Sequence, residues 1–155
     1  MNNIEKSEFS LLYRDMFHYR LKNNLVELND FFKKMFSIVN DDDNTNIFNP
    51  LIFVMRNVSD DGDIDMDILY HENDLVTNLP VEFFSHYTIN PGLSVELKPD
   101  YRYNFDIAMN KITKIFDKKN YEPRSYPTII LFKSKNKVIV KLWVSVIEIG
   151  DQNGI

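Results

Sequence analysis

Three features of the 155-residue sequence predict an α+β domain, with one mainly antiparallel sheet of about five strands backed by a long N-terminal helix and a second amphipathic helix. Apolar residues between Ser7 and Asn40 recur at helical spacing, later segments alternate or run apolar over strand lengths, and an Asp-Gly turn joins two of those segments. With 44% hydrophobic and 14% aromatic residues, the chain suits one domain over residues 1–150, with residues 151–155 read as a flexible tail.

In the N-terminal element, Phe17, Leu21, Leu25, Leu28, Phe32, Met35 and Val39 make one stripe at intervals of four and three, with a bend or break at Asn23 and Asn24. "DDDNTN" at 41–46 ends it, because Asp and Asn side chains bond the local backbone in competition with the helix. "LIFVMRNV" at 51–58 reads as a central strand. "DIDMDILY" at 63–70 alternates between an apolar row and the row Asp63, Asp65 and Asp67, and the "SDDG" between the two strands is a hairpin signal. Residues 79–87 are read as a short helix with Pro80 in its first turn, and "LSVELK" at 93–98 as a strand. Residues 103–119 repeat at helical spacing and carry lysines late, where they suit the dipole. "TIILFK" and "VIVKLWVSVIEI" close the chain as a hairpin, and the second strand, at twelve residues, calls for curvature or a bulge. No internal repeat is visible in the sequence.

Composition removes whole classes of function. The absence of cysteine excludes disulfides, thiolate catalysis and cysteine zinc sites. Glycines stand only at 62, 92, 150 and 154, so no phosphate-cradling glycine loop can form. No G-x-S-x-G elbow is present. The polar start and the lack of a long apolar run lead to the expectation of a soluble, cytoplasmic protein with no membrane contact.

Charge is segregated. Positions 35–97 hold twelve acidic residues and one basic residue, Arg56, whereas positions 98–155 hold eleven basic against six acidic. Left alone, the row Asp63, Asp65 and Asp67 would repel itself, which suits either a solvated edge or a cationic partner. A calcium loop with Gly62 at its sixth position would take Asn57, Ser59, Asp61 and Asp65, but its twelfth position falls on Ile68 and removes the bidentate carboxylate. His71, Glu72, Asp74 and His86 carry metal-capable groups without a pattern that specifies geometry, so no metal and no cofactor is expected.

"VELK" at 95–98 sets Glu96 and Lys98 on one face of a strand and resembles the E-x-K element of the PD-(D/E)xK nucleases. That resemblance implies Mg²⁺ held by Glu96 with Asp67 or Asp74, and Lys98 placing the attacking water. A polyanionic substrate would meet the most acidic strands of the chain, which makes the nuclease the alternative. The leading expectation is a small binding protein with no catalytic residue, an immunity protein or antitoxin that occludes a basic toxin domain such as a nuclease and acts as monomer or homodimer. Its contacts would be Asp41, Asp42, Asp43, Asp60, Asp61, Asp63, Asp65, Asp67, Glu72 and Asp74, with Tyr70, His71 and Tyr87 as anchors. A small acidic secretion chaperone or adaptor is a further alternative.

Overall fold

The hairpin that the sequence marks most strongly forms where Gly62 allows it. Gly62 adopts φ +87° and donates its N–H to the Ser59 carbonyl at 2.9 Å, closing the turn between β3 (Leu51–Val58) and β4 (Asp63–Tyr70). The computed structural model describes residues 3–72 and 80–149, and Asp74 and the tail at 151–155 lie outside them. The other elements are β1 (Glu5–Ser7), β2 (Leu11–Asn24), α1 (Leu28–Asp41), β5 (Glu82–Ile89), β6 (Gly92–Glu96), α2 (Tyr101–Lys119), β7 (Tyr121–Pro123), β8 (Thr128–Ser134) and β9 (Lys137–Glu148). Among the described residues, no helix is long and apolar enough to cross a membrane.

These nine strands form one antiparallel sheet in the order β1-β6-β9-β8-β3-β4-β2-β5, with β7 pairing β9. The order is a palindrome. β2, α1, β3 and β4 make one β-α-β-β unit and β6, α2, β8 and β9 make another, joined where Ile52 pairs Ile130 and Val54 pairs Thr128. The backbone is therefore duplicated although the sequence carries no repeat.

The expected fold class is corrected: nine strands replace about five, and sheet dominates over helix. The long N-terminal helix is a fourteen-residue strand, β2, followed by a 3-10 turn and a helix that begins only at Leu28. Phe17 and Leu21 stand four apart, a spacing that strand alternation satisfies as well as a helix does. Asp15, at φ 58°, breaks the alternation, so Tyr13 and Met16 face the same side at an interval of three. Asn24 marks the junction, its side chain capping the turn by accepting from the Val26 N–H at 2.8 Å. Within residues 79–87, expected as a short helix, the chain from Glu82 onward pairs along β2 as strand β5.

Both helices cover one face. Leu28, Phe32, Met35 and Val39 of α1, with Phe105, Ala108 and Ile112 of α2, pack on Phe53, Met66, Ile68, Leu131 and Leu142 of the sheet. Asn29 of α1 ties them together, accepting from the Tyr101 N–H at 2.8 Å and donating to Asp100, the N-cap of α2, at 2.7 Å.

Among the described residues the opposite face has no helix, yet Tyr13, Met16, Ile52, Leu69, Ile130 and Trp143 are buried there. Topology explains this. Seven strands lie from β6 to β5 in the sheet order, which would span about 29 Å if flat. Only Asn90 and Pro91 join β5 to β6, and three Cα steps reach about 11 Å at most. The sheet must curl until its two flanks meet, enclosing the helix-free face as a trough. Trp143 Nε1 and Ser145 Oγ donate to the Asn90 carbonyl at 3.0 and 2.9 Å, fastening the link across β9.

Gly92 permits the close approach at this seam, since a Cβ there would stand 2.2 Å from the Val144 carbonyl oxygen. Gly92→Ala is expected to destabilise by about 1–3 kcal/mol, the scale of overpacking. Gly62→Asn, whose nearest neighbour to a new Cβ is 3.7 Å away and whose conformation Asn tolerates, should cost less. Urea unfolding of both variants checks the order.

Candidate functional site

The trough carries a charged cluster among its apolar residues. On β2, His18 is 4% exposed, with Nε2 2.9 Å from Asp67 Oδ1 on β4 and Nδ1 2.9 Å from Glu82 Oε1 on β5. Nδ1 hydrogen-bonds Glu82, whereas Nε2 and Asp67 Oδ1 face each other without an aligned hydrogen bond. Arg56 approaches from the other side, its Nε 3.0 Å from Asp67 Oδ2, and Arg20 Nε stands 3.7 Å from Asp67 Oδ1. Arg56 is the extra residue at the register shift between Met55 and Asn57, a bulge that aims its side chain at the next strand. Phe84 stacks on His18 with ring centroids 5.5 Å apart.

Next to this cluster, a cavity of about 510 Å³ opens at the junction of the two halves. Val54 and Thr128, cross-strand partners at the end of the β3–β8 pairing, form its floor, Tyr87 one wall and residues 123–126 the other. Asp67 lies close by, as the cross-strand partner of the lining residue Val54, and its charge, after burial, helps to raise the Tyr87 hydroxyl pKa. A strand break between β7 and β8 lets residues 124–127 form that wall: Arg124 N–H still bonds the Ser145 carbonyl at 2.7 Å and Ser125 Oγ accepts from the Ser145 N–H at 3.0 Å.

The expected contact residues fall into separate groups. Asp60, Asp61 and Asp63 are exposed at the β3–β4 turn, and Asp63 accepts from Asn24 Nδ2 at 3.0 Å. Asp65 is half-buried opposite Lys22. Asp67 is paired as described, so the row Asp63, Asp65 and Asp67 shares one face but is not left to repel itself. At the far end of β4, roughly 23 Å along the strand, stand Asp42, His71 and Glu72, with Asp41 and Asp43 exposed nearby. Tyr70, expected as an anchor, is corrected to a core residue: it is 1% exposed and its hydroxyl bonds Asp42 and Thr45. Tyr87 belongs to the trough.

Of the nuclease constellation, Glu96 and Asp67 are not brought together, and the alternative aspartate, Asp74, lies outside the described residues. Glu96 on β6 and Asp67 on β4 are separated in the sheet by β9, β8 and β3, and Lys98 Nζ pairs with Glu96 at 2.6 Å. The trough cluster itself escaped sequence reading. His18, Arg56 and Glu82 are dispersed along the chain, and the helix assigned to residues 7–40 hid the alternation that sets His18 beside Asp67.

Comparison with known proteins finds no matching family model and no match among curated proteins. Among solved structures, the chain is similar to a hydrolase from Listeria innocua, at 8% identity and TM-score 0.51, over 93% of this chain and 91% of that one. It is also similar to SAV2435 bound to tetraphenylphosphonium, at 10% identity and TM-score 0.47, over 94% and 93% of the respective chains. At such identity the first likeness establishes a shared fold and assigns no activity.

Two outcomes follow from the cluster. Asp67→Ala strands His18 and Arg56 and should destabilise by about 2–4 kcal/mol, below the full buried-pair cost because Arg56 reaches solvent. Exposed Asp63→Asn should stay within about 0.5 kcal/mol of wild type, and denaturant melts compare the two. The second outcome concerns alkaline pH. Burial pushes the Tyr13 hydroxyl from 10.0 up to about 12. The folded chain holds this proton longer than the unfolded chain, so its contribution is complete below pH 10 and is lost as pH rises toward 12. The loss should be on the order of 2–3 kcal/mol, and stability curves of Tyr13→Phe should lack it.

Proposed function

We propose that this protein is a binding module for a small organic molecule, held in the trough between the two β-α-β-β halves. The observation that supports it most is the cavity of about 510 Å³ at the junction of the halves, with apolar and aromatic walls and one polar side. Cavities of ~300–1,000 Å³ with few, placed polar groups are the usual form of a ligand site, and interfaces between structural units are a common position. Tyr87 and Tyr126 offer faces for a flat ring, Arg124 and Ser125 line the polar side, and the Asp67–Arg56 pair lies close by beyond Val54. The charges are close to balanced, so they orient a ligand more than they attract one of a given sign. The amphiphilic aromatic anilinonaphthalenesulfonate tests the reading. Saturable fluorescence enhancement at one site per chain is expected, weakened about tenfold, or ~1.4 kcal/mol, by Tyr87→Ala and by Tyr126→Ala. Enhancement that is absent, or equal in wild type and both folded variants, contradicts it.

The inhibitor of a basic toxin is a second reading, supported by the exposure of Asp60, Asp61 and Asp63 on one turn. Its signature is a cationic protein partner whose association slows on Asp60→Lys with Asp61→Lys and not on Tyr87→Ala.

A further inference from the structure

Outside the trough, one side-chain cluster joins residues distant in sequence. Asp42 caps the C-terminus of α1, and His71 and Glu72 follow β4 directly. His71 Nε2 stands 2.8 Å from Asp42 Oδ2 and 3.5 Å from Glu72 Oε1, and one ligand atom from each residue falls within 4.8 Å of the others. Among the described residues this is where three such groups converge.

The histidine is the informative member. Both of its ring nitrogens are fully buried, and among the described residues neither has an aligned hydrogen-bond partner. The carboxylate at 2.8 Å therefore lies beside Nε2 and off its N–H direction. Buried nitrogens left in this way are uncommon and call for an ion or water. Ligands ~2.0–2.2 Å from a tetrahedral zinc ion stand about 3.3–3.6 Å from one another with no need to point at each other, so Nε2 and Glu72 Oε1 at 3.5 Å have that spacing and Nε2 and Asp42 Oδ2 at 2.8 Å would open by about half an ångström around the ion.

The surroundings fit a ligand more than a free surface acid. Asp42 Oδ2 accepts from Thr45 Oγ1 at 2.8 Å and from the Tyr70 hydroxyl, while Oδ1 accepts from the Asn44 N–H at 2.9 Å. Such outer partners fix the orientation of a metal-ligating group. Tyr70 also packs on the imidazole, ring centroids 4.3 Å apart. Glu72 is half-exposed, which leaves an entry path.

We propose that Asp42, His71 and Glu72 form a binding site for a divalent first-row cation of the zinc class. One imidazole with two carboxylates suits such a borderline ion, whereas Ca²⁺ and Mg²⁺ prefer oxygen alone. The two carboxylate charges match the ion, and three protein ligands leave a position for water.

Equilibrium dialysis of the full chain against Zn²⁺, with Co²⁺ as spectroscopic probe, tests this site. One Zn²⁺ per chain is expected, weakened roughly tenfold or more by His71→Gln and by Glu72→Gln, and unchanged by His86→Gln. Nuclear magnetic resonance with Co²⁺ should broaden the His71 ring and spare those of His18 and His86. Glu72→Gln decides the matter if His71→Gln does not fold. A wild type that takes up no Zn²⁺, or variants that bind as wild type does, would overturn the proposal. Probe binding in the trough is independent of this result.

Discussion

Asn90 and Pro91 are all that separates β5 from β6, although five strands lie between those two in the sheet. That shortage of chain is the constraint from which the rest follows. A flat sheet cannot close so short a connection, so the strands roll toward the face that lacks helices, and the roll hides residues that would otherwise stand in water. Trp143, 5% exposed with its indole N–H on the Asn90 carbonyl, is the clearest consequence. Gly92 lets the seam close without a side chain in the way.

The same curl gives the trough its chemistry. A flat sheet would leave His18, Asp67, Glu82 and Arg56 as surface charges, where ion pairs are worth little. Rolled inward, they are partly dehydrated, and Asp67, 17% exposed, faces His18, Arg56 and Arg20 at once. Two departures from regular pairing shape the site: Asp15 turns Tyr13 and Met16 to the same side, and the Arg56 bulge points a guanidinium at Asp67. At the far end of β4, Asp42, His71 and Glu72 form a separate cluster on the helix side of the same strand's end, fastened by Tyr70 and Thr45.

Much of the fold was legible, and the failures have physical causes. β4 and β9 are readable because their apolar residues alternate, β3 and β8 because they run apolar over strand lengths next to strong turns, and α2 because its apolar positions keep helical spacing over many turns. β2 was misread because a spacing of four satisfies a strand too, and because one residue of positive φ inserts an interval of three. β5, with "EFFSHY" exposed and half-buried by turns at a sheet edge, carries too weak a pattern to be separated from a helix. The segregation of acidic residues along the chain was real. It did not become one acidic flank, because eight residues of extended strand hold the turn acids and the Asp42 group apart. The trough cluster could not be read at all without β2 as a strand.

The single tryptophan gives the most direct test of the curl. Trp143 sits on the face that no helix covers, so its environment reports whether that face is enclosed. If the sheet rolls as described, emission from the native protein is blue-shifted and weakly quenched by iodide and acrylamide, and both effects vanish together on unfolding. Emission and quenching in the native protein equal to those of the unfolded chain would show the face open to water and contradict the account.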